Sequence, residues 1–190
     1  MKAGGASLFP LLLVGFLAAL TFWLEQASHM DDPDRHAKER HDPDFFAEKF
    51  RVRRFDEEGN LLNTLIAEKM LHFPDDESTD VIAPYLVYHR EPPTVVTAKT
   101  AWLDKDGKHV RLNDDVRVVR SGGTDAPDMV ITTSILYAVP DDEYAHTEAP
   151  VVITQGQTVI NGIGATVDNK AQVSVLSGPV RGIIYRNQHR

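Results

Sequence analysis

The chain has 190 residues, 42% of them hydrophobic and 25% charged, with 12 Gly and 11 Pro; this globular composition excludes wholesale disorder, collagen and low-complexity repeats and leaves room for one ordinary core, so a two-domain enzyme is not expected. Lys plus Arg is 20 against 28 Asp plus Glu, and the formal net charge of −8 has the wrong sign for gripping a nucleic-acid backbone. Cys is absent, which removes disulfides, thiolate metal sites and a cysteine nucleophile and leaves the compartment to be read from the N-terminus.

The first element is Leu8 to Leu24, LFPLLLVGFLAALTFWL, 17 residues without a charge. As a helix it covers roughly 25 Å, near the short limit for a bilayer core of about 30 Å. Pro10 falls in the first turn, where its missing N–H costs least, and Phe22 and Trp23 stand where an aromatic belt would lie. Lys2 precedes the run, while Glu25, Asp31, Asp32 and Asp34 follow it. An uncleaved anchor is expected, with residues 1–7 in the cytoplasm, 8–24 across the membrane and the remainder exported. The rival is a cleaved signal peptide, which a cut after Ala27 would burden with Glu25 at the −3 position.

Residues 25–44 carry Asp32-Pro33, Asp42-Pro43 and mixed charges without apolar periodicity, and read as an exposed linker or charged stalk. His36 and His41 have no further ligands at useful spacing, so they read as solvated histidines and no metal is expected. From Phe45 the period becomes two: Phe50 and Val52, Leu86 and Tyr88, Val110 and Leu112, Val116 and Val118, Val173 and Val175. Short alternating runs bounded by polar clusters are strands with one buried face. The clusters Asp56 to Asn60, Pro74 to Asp76, Asp104 to Gly107, Pro140 to Asp142 and Asp168 to Lys170 are turn chemistry. Asp104 to Gly107 lacks the other oxygen ligands of a calcium loop.

These hairpins repeat. Pro84-Tyr85, Asp115-Val116, Pro150-Val151 and Pro179-Val180 lie 31, 35 and 29 residues apart, and 17 positions before each stands a small or short residue, Ala67, Ala98, Thr133 and Gly162. Four divergent strand-turn-strand units cannot bury an apolar face singly and must stack, which predicts a roll or sandwich of antiparallel strands. The inward Val, Ile, Leu, Phe and Tyr either fill the core or line a slot for acyl chains, whose burial is worth about 0.8 kcal/mol per methylene; periodicity alone favours the filled core. An open roll also leaves edges that can pair with another chain. Val180 to Tyr185, including Gly182, Ile183 and Ile184, is a candidate edge. Catalysis is not expected: Ser, His and Asp are present, but no nucleophile elbow, zinc helix, P-loop or paired carboxylate is recognisable.

Phe45-Phe46-Ala47-Glu48-Lys49-Phe50 leading to Phe55-Asp56-Glu57-Glu58-Gly59, then Leu65 through Asp76, Ile131-Thr132-Thr133, Val159 through Gly164 and Pro179 through Gly182, resembles the LptC family of lipopolysaccharide-export proteins. The likeness covers the anchor and the domain beyond the linker, in order. It implies an all-β antiparallel β-jellyroll over residues 45–187 behind one transmembrane helix, in the inner membrane of a Gram-negative bacterium with the bulk of the chain periplasmic. It further implies that lipopolysaccharide is accepted from the LptB, LptF and LptG ABC transporter and passed to the periplasmic bridge protein LptA, with no cofactor and with ATP hydrolysed by the partner. The rival of a different class is a membrane-tethered adaptor that bridges proteins and holds no lipid.

Without Lys2 the chain keeps 19 Lys and Arg against 28 Asp and Glu. Long-range attraction to an anionic lipid is therefore not the main source of affinity, and acyl chains in the slot with sugars and phosphates in solvent are expected. Arg51, Arg53 and Arg54 are candidate phosphate contacts; ordinary outward strand positions are the alternative. The expected apolar lining is Phe50, Val52, Leu65, Ile82, Leu86, Val96, Trp102, Val118, Leu136, Ile153, Val175 and Ile184. Gly162 and Gly164, two apart in a strand pattern, mark a bend or a close approach and are counted with Val180, Gly182, Ile183, Ile184 and Tyr185 as partner interface.

Overall fold

Alternation from residue 45 onward becomes strand wherever it was expected, and the reason each strand stops short of a flat sheet lies in its middle. The computed structural model describes residues 8–28, 41–124 and 126–185. Contacts divide these into two units at His41 and Asp42. The first is a helix, α1 (Leu8–Ser28), with exposed apolar side chains such as Leu12, Val14, Phe16 and Trp23. Among the described residues no helix is long and apolar enough to cross a membrane.

The second unit is an antiparallel sheet. Its strands are β1 (Phe45–Phe55), β2 (Leu61–Phe73), β3 (Ser78–Ile82), β4 (Tyr85–Tyr88), β5 (Thr94–Thr97), β6 (Thr100–Leu103), β7 (Val110–Arg120), β8 (Met129–Val139), β9 (Tyr144–Gln155), β10 (Thr158–Asp168), β11 (Val173–Leu176) and β12 (Arg181–Ile183). The pairing simplifies them. The first half of β2 pairs with β4 and the second half with β3, β7 likewise pairs with β5 and β6, and β10 with β12 and β11. So β3 and β4, β5 and β6, and β11 and β12 are each one long strand broken in the middle, and the described strands form a nine-strand meander.

The breaks line up. Lys49, Ala83, Asp114, Asp115 and Gly164 all have positive φ, between 49° and 75°, and the register falters opposite them on β8 and β9. A left-handed residue costs a non-glycine about 1–2 kcal/mol, so a file of them requires compensation. It comes from hydrogen bonds along the line: the Ala83 N–H donates to the Lys99 carbonyl (2.8 Å), the Lys99 N–H to that of Asp114 (2.9 Å), and the Ser177 N–H to that of Gly164 (3.0 Å). The Lys99 ammonium also meets the Asp115 carboxylate at 2.9 Å. This seam interrupts the ladder across the middle of the sheet, dividing its inner side into two faces. The sequence repeat follows it, since Pro84, Asp115, Pro150 and Pro179 each sit at or just past the break on alternate strands.

The tightest core lies among the early strands: Ala67, Val81, Val96, Ala101, Leu112 and Val116 cluster, with Phe50, Met70 and Leu86 packed against them. Small residues let the faces approach closely here. Turns complete the hairpins with local bonds. Asp56 caps its turn by accepting from the Asn60 backbone (2.6 Å) and side chain (2.9 Å), which holds its carboxyl below the usual range.

Candidate functional site

Alternation fixes which side chains point inward, and register decides which of those meet. Val52 lies opposite Leu65, Leu65 opposite Leu86, Leu86 opposite Val96, Val96 opposite Val118, Val118 opposite Ile131, Ile131 opposite Ile153, and Ile153 opposite Ile160. One row of Val, Leu and Ile thus crosses the sheet from the β1 edge to β10, where Ile160 faces Gly182 of β12. On the other side of the seam a second row begins with Met70, Val81, Ala101 and Leu112 and reaches Leu136.

Between the rows a cavity of about 430 Å³ opens, within the size range of small-molecule sites. Its walls come from β4, β5 and β7 to β11, and its apolar lining includes Leu86, Val96, Val118, Ile131, Leu136, Ile153, Val175 and Leu176. The cavity adjoins the small-residue core and shares Val96 and Leu112 with it. Early strands close on Ala67 and Ala101, both 3% exposed; on the later strands Val151 is equally buried, but Ile131, Leu136, Ile153 and Leu176 remain only half buried.

Six of the twelve expected lining residues are brought together on this cavity: Leu86, Val96, Val118, Leu136, Ile153 and Val175. Val52 and Leu65 continue the same row toward the β1 edge, with Val52 exposed. Phe50 packs on the small-residue core. Ile82 and Trp102 lie in the opposite phase from buried Val81 and Ala101, and Trp102 carries the Arg111 guanidinium over its ring at 5.6 Å. Ile184 is exposed past the end of β12.

Of the expected interface residues, Val180, Ile183, Ile184 and Tyr185 are exposed along the terminal edge, where β12 pairs with β10. The opposite edge, β1, presents Phe45, Phe46 and Phe55. Gly162 and Gly164 lie inside instead, buried in β10. A Cβ on Gly162 would stand 3.4 Å from the Leu176 side chain; at Gly164 it would meet Ser177 Cβ at 3.3 Å, with φ at +75°. These glycines serve the bend.

The cavity's outer rim is charged. Arg90, Arg120 and Glu143 line it together with Tyr88, Thr94 and Tyr144. Arg90 donates to Glu143 at 2.7 Å, joining the β4–β5 loop to the turn before β9, and its guanidinium lies 5.2 Å from the Tyr88 ring centre. Arg54 reaches Asp141 of that turn at 3.7 Å. Burial pushes the Tyr88 phenol above its ordinary value, while the charges of Arg90 and Arg54 pull it the other way. Of the candidate phosphate contacts, none lines the cavity: Arg51, Arg53 and Arg54 are all exposed on β1, and only Arg54 is tied to the turn beside it, through Asp141.

Sequence reasoning missed Arg90 and Arg120, and a signal existed. Leu86, Tyr88 and Arg90 share one phase, as do Val116, Val118 and Arg120, so each arginine is the last inward position of an apolar alternation. Ile131 was equally legible from its alternation with Met129 and Thr133.

The family model described as "Lipopolysaccharide-assembly, LptC-related" matches residues 11–185. No curated protein matches the chain. Among solved structures, the chain is similar to LptH, the LptA-homologous periplasmic component of the lipopolysaccharide transport device of Pseudomonas aeruginosa, at 10% identity and a TM-score of 0.48, covering 77% of this chain and 98% of that one.

Proposed function

From the premise that the chain belongs to the LptC-related lipopolysaccharide-assembly family, we propose that it carries lipopolysaccharide by holding the acyl chains in the cavity between its two inner faces. The observation that carries the reading is the unbroken apolar row from Val52 to Ile160, which widens into a cavity of about 430 Å³ and reaches toward both edges of the sheet. At about 0.8 kcal/mol per buried methylene, a few carbons of each tail suffice for capture without making release slow.

In this reading residues 45–187 form the lipid-holding jellyroll in the periplasm, residues 25–44 are its tether, residues 8–24 anchor it in the inner membrane and residues 1–7 stay in the cytoplasm; of these, 1–7, 29–40, 125 and 186–187 lie outside the described residues. Support for the anchor is α1 itself, which exposes apolar side chains on every face; such a helix needs an apolar surrounding. Its charge-free run of 17 residues is short for a core of about 30 Å, and local thinning of the bilayer accommodates the difference. The β1 edge receives lipid from an LptB, LptF and LptG transporter, and the β12 edge passes it to an LptA-type bridge, by strand pairing that prolongs the apolar row into the neighbour. The chain uses no cofactor and hydrolyses nothing.

A photoreactive residue at Ile153, in membranes containing the transporter, tests this. ATP-dependent adducts with lipopolysaccharide are expected. Adducts with proteins alone would leave a tethered adaptor.

A further inference from the structure

The rim of the cavity is more specialised than the walls. Tyr88 lies opposite Thr94 and Thr94 opposite Arg120, one row outward from the apolar floor, and Arg54 occupies the same row at β1, opposite Asn63 and so Tyr88. Arg90 follows Tyr88 by two positions. Three arginines therefore edge one face. Opposite them Asp141, Asp142 and Glu143 occupy the turn that leads into β9.

The two sets meet unequally. Arg54 pairs with Asp141, Arg90 with Glu143, and Lys170 with Asp142, while Arg120, which lines the cavity, has no acidic partner among the described residues. Glu143 is held in place by its backbone, whose N–H donates to the Pro140 carbonyl and whose carbonyl accepts from Asn169. Its side chain is 39% exposed and that of Arg90 44%, and exposed ion pairs are weak, about 0.2–1 kcal/mol. Such a contact yields to a better anion. An apolar cavity whose last inward positions are arginines fits a molecule with a greasy tail and an anionic head.

Resting on the carrier reading, we propose that Arg90 and Arg120 bind the phosphate head of the amphiphile whose tail lies in the cavity, and that Glu143 occupies Arg90 until that phosphate displaces it. Guanidinium forks match phosphate oxygens in paired hydrogen bonds. Tail burial supplies the bulk of the affinity, and the head site sorts anionic amphiphiles from neutral ones. Arg54, held by Asp141, shares the register row of Tyr88 but does not line the cavity.

The test uses the full chain in phosphatidylcholine nanodiscs and three probes: dodecyl phosphate and dodecylglycerol, each with a photoreactive group in the tail, and inorganic phosphate as competitor. Dodecyl phosphate should label cavity peptides at lower concentration than dodecylglycerol. Arg120→Gln and Arg90→Gln should each weaken dodecyl phosphate roughly threefold to tenfold, the scale of a partly exposed charge-assisted contact, and leave dodecylglycerol unchanged. Glu143→Gln should tighten dodecyl phosphate by about threefold. Inorganic phosphate should compete only at far higher concentration. Equal labelling by both tailed probes, insensitive to all three substitutions, overturns the head site and leaves the carrier reading standing. Inorganic phosphate binding as tightly as dodecyl phosphate overturns it in favour of a free-anion site. No labelling by either tailed probe sinks both.

Discussion

The early and late strands of the roll share one seam and one alternation, yet they do different things with their interiors. Early strands place Ala67, Val81, Ala101 and Val116 on the seam side, each at most 3% exposed, and the two faces close on them. Late strands place Ile131, Leu136, Ile153 and Leu176 on the cavity, and the faces stay apart. Burial that small side chains complete by close approach is left incomplete by larger ones, so the tightest packing sits in the first part, and the cavity, whose walls β4, β5 and β7 share, opens toward the second.

That division can be broken most severely by filling the cavity. Ala138→Trp, on the wall, should leave the protein folded but reduce lipid retention by roughly tenfold or more, since excluding even two methylenes removes about 1.6 kcal/mol; retention measured against a labelled amphiphile checks it. Next comes the seam. Gly164→Arg should destabilise the roll by about 2 kcal/mol, because a side chain at φ +75° is strained and its Cβ meets Ser177. Chemical denaturation measures the loss, and impaired recovery of complexes should accompany it. The comparison sharpens with a pair of truncations: Val116→Ala should cost about 2 kcal/mol, and Ile131→Ala, on a wall that already faces open space, about half that.

The smallest effects belong to turns and the seam's exposed parts. Ala83→Gly should change stability by under about 0.5 kcal/mol, as relief at φ +51° is offset by the freer unfolded chain. At Asp104 the His109 ring, 2.6 Å away, is the main cause of a lowered carboxyl pKa. The folded value lies below the unfolded one, so this turn's contribution is present above the ordinary Asp range and lost as pH falls through the lowered value. Thermal melts on Asp104→Asn should lose a slight acid dependence that the parent shows.

Much of this fold was legible because period two and turn chemistry are local signals. Phe50 and Val52, Val116 and Val118, and the turns at Asp56 and Asp104 all stand where they were expected. The repeat was legible too, although its meaning was not: Pro84, Asp115, Pro150 and Pro179 mark a bend line, which only pairing across the sheet reveals. The site was legible in part. Alternation gives phase within a strand, so Leu86, Val96, Val118 and Ile153 could be placed on one face. It cannot give which phase is inward on short broken strands such as β3 and β6, which is why Ile82 and Trp102 fall on the other face. Where the faces close and where they part depends on the sizes of residues paired across the fold. Arg90 and Arg120 were passed over because charges at strand ends read as solvent-facing, although their phase was inward.

The most direct measurement places a photoreactive residue at Leu136, inside the cavity, and at Trp102, on the outer face, in membranes that contain the transporter. The account predicts lipopolysaccharide adducts at Leu136 that depend on ATP, and none at Trp102. Equal adducts at both positions, or protein adducts alone at Leu136, would contradict it.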